Sequence, residues 1–219
     1  MLLFYIQLLF VFYFNSNFIC FFRKSDVLLL CNSSQQNHFN SSEMITFNFD
    51  SAKSIHALLY ILNSIGQADM HKIAKILYLA DRNLLTRFGN PITGDKYIAM
   101  NYGPVPSKIY NIIKDIRDKK DNDYLHFFKV SGKNYETTAL CECDLEELSQ
   151  ADIESLNQAI NEINVLDFNE RVHKTHDSAY KATSLNGIML FENIAEEGGA
   201  NPEMIQYIQL VADNTNILG

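Results

Sequence analysis

The chain has no Trp, and in 219 residues only nine Gly, four Pro and four Cys. So little Gly and Pro excludes a collagen-like or low-complexity chain, and so few Cys excludes a disulfide-built miniprotein. Cations are also short: 18 Lys and Arg face 26 Asp and Glu, a formal charge of −8. That deficit argues against a general nucleic-acid binder, whose affinity comes largely from Lys and Arg on phosphates. No Gly-rich phosphate loop, G-x-S-x-G elbow or H-E-x-x-H pair occurs, so no common catalytic motif points to an enzyme. What is present is 47% hydrophobic residues, enough for one domain with a real core.

Residues 1–43 differ from the rest. They hold ten of the 26 aromatics, contain no Gly, Ala or Pro, and carry no net charge. Eighteen of the first 22 residues are apolar, but Gln7 and the Asn15-Ser16-Asn17 triplet interrupt them. A secretory signal needs a basic start and a small-residue cleavage site; here Arg23 and Lys24 follow the apolar stretch. A membrane anchor needs ~20 mostly apolar residues, and the triplet cuts the run short. A composition of Phe, Leu, Ile, Tyr, Asn and Ser is also what AT-rich upstream DNA encodes when translated from too early a start. The expectation is therefore a doubtful extension and linker over 1–43, best explained by a mis-assigned start with an anchor as the alternative, and a single domain over 44–219. Four Cys without a credible secretory signal suggest a reducing, cytoplasmic setting.

Charge divides the remainder. Residues 44–120 carry +5 and residues 121–219 carry −13. Pairing between the halves with a solvated acidic face is the simpler outcome; steering of a basic partner is the other.

Hydrophobic spacing gives a coarse map. Asp50 is placed to cap a helix ending near Gly66, with Ile55, Leu58, Leu59 and Leu62 as its stripe. Asp69 is placed to cap a second, with Ile73, Leu77, Ala80 and Leu84 inward, Gly89 at its end, and Lys72, Lys75, Arg82 and Arg87 off the stripe. A short strand over 96–100 leads to Gly103-Pro104-Val105-Pro106, which cannot be regular helix. A third helix begins near Pro106, with Ile109, Ile113 and Ile116 inward. Residues 127–130 and 135–139 read as a β-hairpin. Ser149 to Asp152 resembles a capping box. One short helix or turn is expected through 173–180, another helix over 190–197, and a last one opened by Asn201-Pro202-Glu203. The fold class is mainly α with a small antiparallel β-sheet or hairpin (α+β), one domain.

Few residues suggest chemistry. Cys141 and Cys143 with His173 and His176 could form a zinc set, but one residue between the cysteines is too few for both thiolates to reach one ion comfortably. His173, His176 and Asp177, on one face of a short helix, could be a hydrolytic acid–base cluster. His56 and His71 show no obvious partner.

Lys72-Ile-Ala-Lys75-Ile-Leu-Tyr78-Leu-Ala-Asp81-Arg82, Phe88-Gly-Asn-Pro-Ile-Thr-Gly94-Asp95, 97–100, and Gly103-Pro-Val-Pro-Ser107 with Tyr110 occur in an order and spacing that resembles the Panacea domain, also called the SocA-like or phage-associated GepA-type domain. Thr175-His176-Asp177 with Tyr180, and residues 194–198, are similar to the same family; the likeness covers about 44–211. The family tends to have Trp where this chain has Tyr180. The resemblance implies a cytoplasmic antitoxin that neutralises a protein toxin from a neighbouring gene, in some members by delivery to a protease, with no catalytic step and no cofactor.

The residues are consistent with a binding role. A Pro-Val-Pro segment presented as a surface loop would lose little entropy on docking. Tyr97, Tyr102 and Tyr110 around it are of a type enriched at binding hot spots. The expected partner-binding set is therefore Tyr97, Tyr102, Gly103, Pro104, Val105, Pro106, Ser107 and Tyr110, and an anchoring role at the strand–helix corner explains the same residues. Two alternatives follow: a metal-binding or hydrolytic protein using His173, His176 and Asp177, and a DNA-binding autoregulator using Lys72, Lys75, Arg82 and Arg87. Metal and membrane are not expected among the partners.

Overall fold

A computed structural model describes residues 44–120 and 123–218. The apolar segment, its linker, Cys20 and Cys31 lie outside the described residues. Helix α1 (Ser51–Ile65) begins where Asp50 accepts the Lys53 N–H, and ends at Gly66. Helix α2 (Met70–Phe88) is capped by Asp69 through the Lys72 N–H, and closes on Gly89 in the left-handed conformation. Both caps satisfy a free N–H that a helix start would otherwise leave open.

The centre of the fold is α2. Residues 73–81 are all buried, with other elements packed around every side. The apolar stripe expected from periodicity is present, and burial extends beyond it to Lys75, Tyr78 and Asp81. This corrects the expectation that Lys75 lies off the core with Lys72, Arg82 and Arg87: the Lys75 side chain is wholly buried.

Strands β1 (Tyr97–Met100) and β2 (Gly103–Pro106) pair antiparallel, with Tyr97 opposite Pro106 and Met100 opposite Gly103. The Gly-Pro-Val-Pro segment is thus a strand, not a surface loop, and Gly103, Pro104 and Pro106 are buried. Proline is tolerated because the outer edge of β2 faces α2 and needs no amide donors. Helix α3 (Ser107–Arg117) follows at once and turns Ile109, Ile113 and Ile116 inward. A hairpin of β3 (Phe128–Ser131) and β4 (Glu136–Ala139) forms the second small sheet.

The acidic half is helical, with α4 (Gln150–Asn164) opened by a capping box between Ser149 and Asp152. Next come α5 (Phe168–Thr175), α6 (Ser178–Lys181), α7 (Phe191–Glu197) and α8 (Pro202–Leu218). The segment through His173 and Tyr180 is therefore two helices broken at His176-Asp177, where the spacing predicts one. Helix α4 makes the most extensive packing against α2. Ion pairs join the halves of opposite charge: Lys53–Asp152 at 2.9 Å, Arg82–Asp177 at 3.2 Å and Arg171–Asp69 at 3.5 Å. The architecture is mainly α with two small antiparallel sheets. Among the described residues, no helix is long and apolar enough to cross a membrane.

Candidate functional site

Three polar side chains inside α2 each tie a different element to it. Lys75 Nζ donates to the Pro104 carbonyl at 2.9 Å, holding β2. Tyr78 Oη donates to Asp177 Oδ2 at 2.7 Å, holding the α5–α6 corner. Asp81 accepts from the Ile92 and Thr93 amides, from Thr93 Oγ1 at 2.6 Å and from Tyr97 Oη at 2.8 Å, holding the turn before β1. Burial pushes the Asp81 carboxyl up to about 6, while these four donors pull the other way. Tyr97 is buried around the same carboxylate, and burial followed by the Asp81 charge raises its phenol well above the ordinary value. Tyr97 is therefore part of the frame and is not available as a contact surface.

Lys75 has no acidic partner among the described residues. Burial, and then the nearby Arg171 charge, lower its pKa from 10.5 to about 7. It lies beneath Gly103, whose φ of +102° suits glycine. A Cβ at Gly103 would stand 2.8 Å from Lys75 Nζ and 2.9 Å from Thr175 Oγ1. Asp95 caps the start of α3, accepting the Lys108 and Ile109 amides and the Ser107 hydroxyl. Gly94, at φ +64°, lets the turn pass against the Asn48 carbonyl, which a Cβ would strike.

At the His176-Asp177 corner the carboxylate is taken up by structural bonds. Asp177 Oδ1 accepts the Tyr180 amide and caps α6, while Oδ2 accepts from Tyr78 and Arg82. His173 is exposed on α5, whereas His176 leaves that helix and stacks on Tyr180 with centroids 4.0 Å apart. The helix break puts His173 on α5 and His176 just past its end, where the His173 and Asp177 charges still act on His176. Burial lowers the His176 pKa. Tyr180 Oη donates to the Met100 carbonyl at 2.8 Å, so the phenol supplies a donor where the family tends to carry an indole. Cys141 and Cys143 lie elsewhere, against α1: Asn63 bonds the Cys141 carbonyl and the Cys143 amide. Burial raises the Cys143 thiol to about 11, which keeps it protonated at neutral pH. Among the described residues no three His, Cys, Asp or Glu come together as a metal set.

Beside the Lys75–Pro104 tie lies a cleft of about 490 Å³. Its walls are the start of α2, strand β2, Tyr110 of α3, the β3–β4 turn and Phe168 of α5. Of the expected partner-binding residues, Tyr102, Gly103, Val105 and Tyr110 line it. Pro104 and Pro106 are buried, and Ser107 hydrogen-bonds Asp95. Tyr102 is 60% exposed, and its ring lies 5.3 Å from that of Phe168. His71, which shows no partner in the sequence, stacks on Phe168 at 4.3 Å, and its Nε2 sits 3.2 Å from the Tyr102 carbonyl. Burial, then the Lys75 and Arg171 charges, lower the His71 pKa to about 4, so the ring is neutral near pH 7. His56 is also engaged, its Nδ1 accepting the Asp144 amide at 3.0 Å. On the far wall Tyr110 meets Tyr135, and Arg117 lies 4.0 Å over the Tyr135 ring.

His71, Lys133, Tyr135, Phe168 and Arg171 are the site residues that sequence reasoning missed. They come from three separate elements, α2, the β3–β4 turn and α5, and no spacing in the chain links those elements. The basic row considered for DNA also disperses. Lys75 is interior, Arg82 pairs with Asp177, Lys72 bonds Asn164 Oδ1 and Arg87 lies over the Phe88 ring.

The family model for the antitoxin SocA-like, Panacea domain matches residues 73–181. That stretch runs from the buried part of α2 to the end of α6 and supplies most of the cleft. No curated protein and no solved structure matches the chain.

Proposed function

We propose, from the SocA-like Panacea domain that residues 73–181 make up, that the chain neutralises a protein toxin encoded by a neighbouring gene through direct protein–protein binding. The observation that carries this reading is the match itself, which spans most of the residues that build the cleft. The geometry supports it in kind. Lys75, Tyr78, Asp81, Arg82, Asp95 and Asp177 engage one another or the backbone, which is how a rigid binding scaffold uses polar groups. Among the described residues, two of the three exposed Phe and Tyr side chains, Tyr102 and Phe168, lie at the cleft; the third, Tyr207, is on α8. On this reading the chain acts in the cytoplasm, carries out no catalytic step, and can present the bound toxin to a protease through the same contact. Toxin contact is assigned to Tyr102, Val105 and Tyr110, with buried Tyr97, Pro104 and Pro106 acting as their support.

The test is co-expression. The adjoining gene is induced alone, then with the full chain and with residues 44–219. Growth arrest relieved by either form is the expected result. A harmless neighbour, or arrest that neither form relieves, refutes the antitoxin reading at this locus. Relief by residues 44–219 alone would also show that the first 43 residues are dispensable.

A further inference from the structure

Around the cleft, apolar surface extends beyond the pocket. On β1, Tyr97 and Ala99 point inward, so Ile98 and Met100 take the outer face of the ribbon. Ile98 stands opposite Val105 on one side and is bridged to Ile188 on the other. Met100, Tyr102, Phe168 and Ile188 are 36%, 60%, 40% and 43% exposed. Met100, Tyr102 and Phe168 line the cleft, so pocket and ribbon face form one continuous apolar surface.

The edges of this ribbon are closed. On β1, Ala99 N–H bonds the Gly187 carbonyl, while the Asn186 and Met189 amides bond the Ala99 and Tyr97 carbonyls. The other edge belongs to β2, where Pro104 and Pro106 lack N–H groups and the Pro104 carbonyl is taken by Lys75. At the β3–β4 turn the Asn134 carbonyl accepts from Met70, and β4 exchanges bonds with Ala68. A partner therefore cannot enter by adding a strand and must insert side chains.

Charge sets what flanks those side chains. The one acid lining the cleft among the described residues is Asp69, whose Oδ1 accepts the Lys72 amide at 2.6 Å and lies 3.5 Å from Arg171. Lys75 and Lys133 also line it, and Lys114 follows Tyr110 by one helical turn. None of these three lysines is in an ion pair among the described residues. In a chain of net charge −8 the lining itself holds two lysines against one carboxylate. Lys75 itself is sealed beneath Gly103 and bonded to Pro104, so no anion reaches it directly. The cationic field acts at the rim, through Lys133 and Lys114.

Resting on the antitoxin reading, we infer that the cleft and the ribbon face receive a helix or turn of the toxin that inserts large apolar side chains between Met100, Tyr102 and Phe168, with Asp or Glu on its flanks facing Lys133 and Lys114. Unbranched Met100 and the amphipathic Tyr102 suit this role, because both adapt to anchors of different shape.

The test measures binding of the purified full chain to the product of the adjoining gene. The variants are Met100→Glu, Phe168→Ala and Lys133→Glu, with Leu210→Glu on α8, outside the cleft, as control. Each is checked by a thermal melt. Met100→Glu and Phe168→Ala are expected to weaken binding by about tenfold or more. Lys133→Glu is expected to slow association and reduce its salt dependence, while Leu210→Glu has no effect. If folded Met100→Glu and Phe168→Ala variants bind within about twofold of the wild type, the docking inference is wrong and the antitoxin reading stands. If the wild type neither binds nor relieves toxicity, both fall together.

Discussion

Replacing Lys75 with Met should make the protein more stable at neutral pH, although it removes a buried hydrogen bond. In the unfolded chain the ammonium keeps its proton up to about pH 10.5; in the folded chain it keeps it only up to about 7. Below pH 7 both states are protonated, and the folded state carries the full penalty of a buried charge beside Arg171. Between about 7 and 10.5 the unfolded state binds the extra proton, so wild-type stability gains as pH rises through that window. At about 1.4 kcal/mol for each pH unit, the penalty below pH 7 is about 5 kcal/mol. Methionine fills a similar volume without charge but leaves the Pro104 carbonyl unpaired, a loss of about 1–3 kcal/mol. The net expectation is a gain of about 2–4 kcal/mol at pH 6, or roughly 5–10 °C in Tm. Urea unfolding of wild type and Lys75→Met from pH 6 to 10 reads it directly. The advantage of the variant should shrink steadily above pH 7. A variant that is less stable at pH 6, or whose difference from wild type does not change with pH, refutes the reasoning.

Other substitutions test the frame. Asp81→Ala strands four buried donors, at Ile92, Thr93 twice and Tyr97, and should lower stability by about 3–5 kcal/mol in denaturant titration. An effect under about 1 kcal/mol would mean that the turn before β1 does not depend on that carboxylate. Gly103→Ala and Gly199→Ala share a positive φ, but only the first meets neighbours, Lys75 Nζ and Thr175 Oγ1; it should destabilise by about 2 kcal/mol more than the second. Equal losses would place the whole effect in backbone strain. Asp177→Ala removes the α6 cap, strands Tyr78 Oη and leaves Arg82 with Glu197 as its acid, so hydrogen exchange should accelerate first through α5 and α6. Uniform acceleration across the domain would count against a local role.

How much is legible in the sequence can be argued element by element. Asp50, Asp69 and Ser149 announce their helices because a cap is a local bond, made to an amide two or three residues on. The stripes of α1 and α3, the hairpin, and the helix opened by Asn201-Pro202 are likewise readable, since periodicity and turn chemistry act within a few residues. The Pro-Val-Pro segment reads as an exposed loop and is not one. Two prolines in four residues describe backbone restriction, not burial, and the α2 surface that accepts a strand edge without donors is invisible in one dimension. The break at His176-Asp177 escapes the sequence for a similar reason. Asp177 is a helix cap, but the sequence does not say that Tyr78 and Arg82, nearly a hundred residues earlier, fix its carboxylate there.

Sequence alone determined the class of the protein: mainly helical, with its element starts and its Panacea-type motifs. Tertiary structure decided what the motif residues do. Lys75 and Asp81 look like surface polar groups because α2 places them off its apolar stripe, and only packing on every side of that helix makes them and Tyr78 interior. Once interior, each must find a partner or bear the penalty of an unmet charge or hydrogen bond. Those partners, at Pro104, Asp177 and Thr93, are what draw β2, α6 and the turn before β1 against α2.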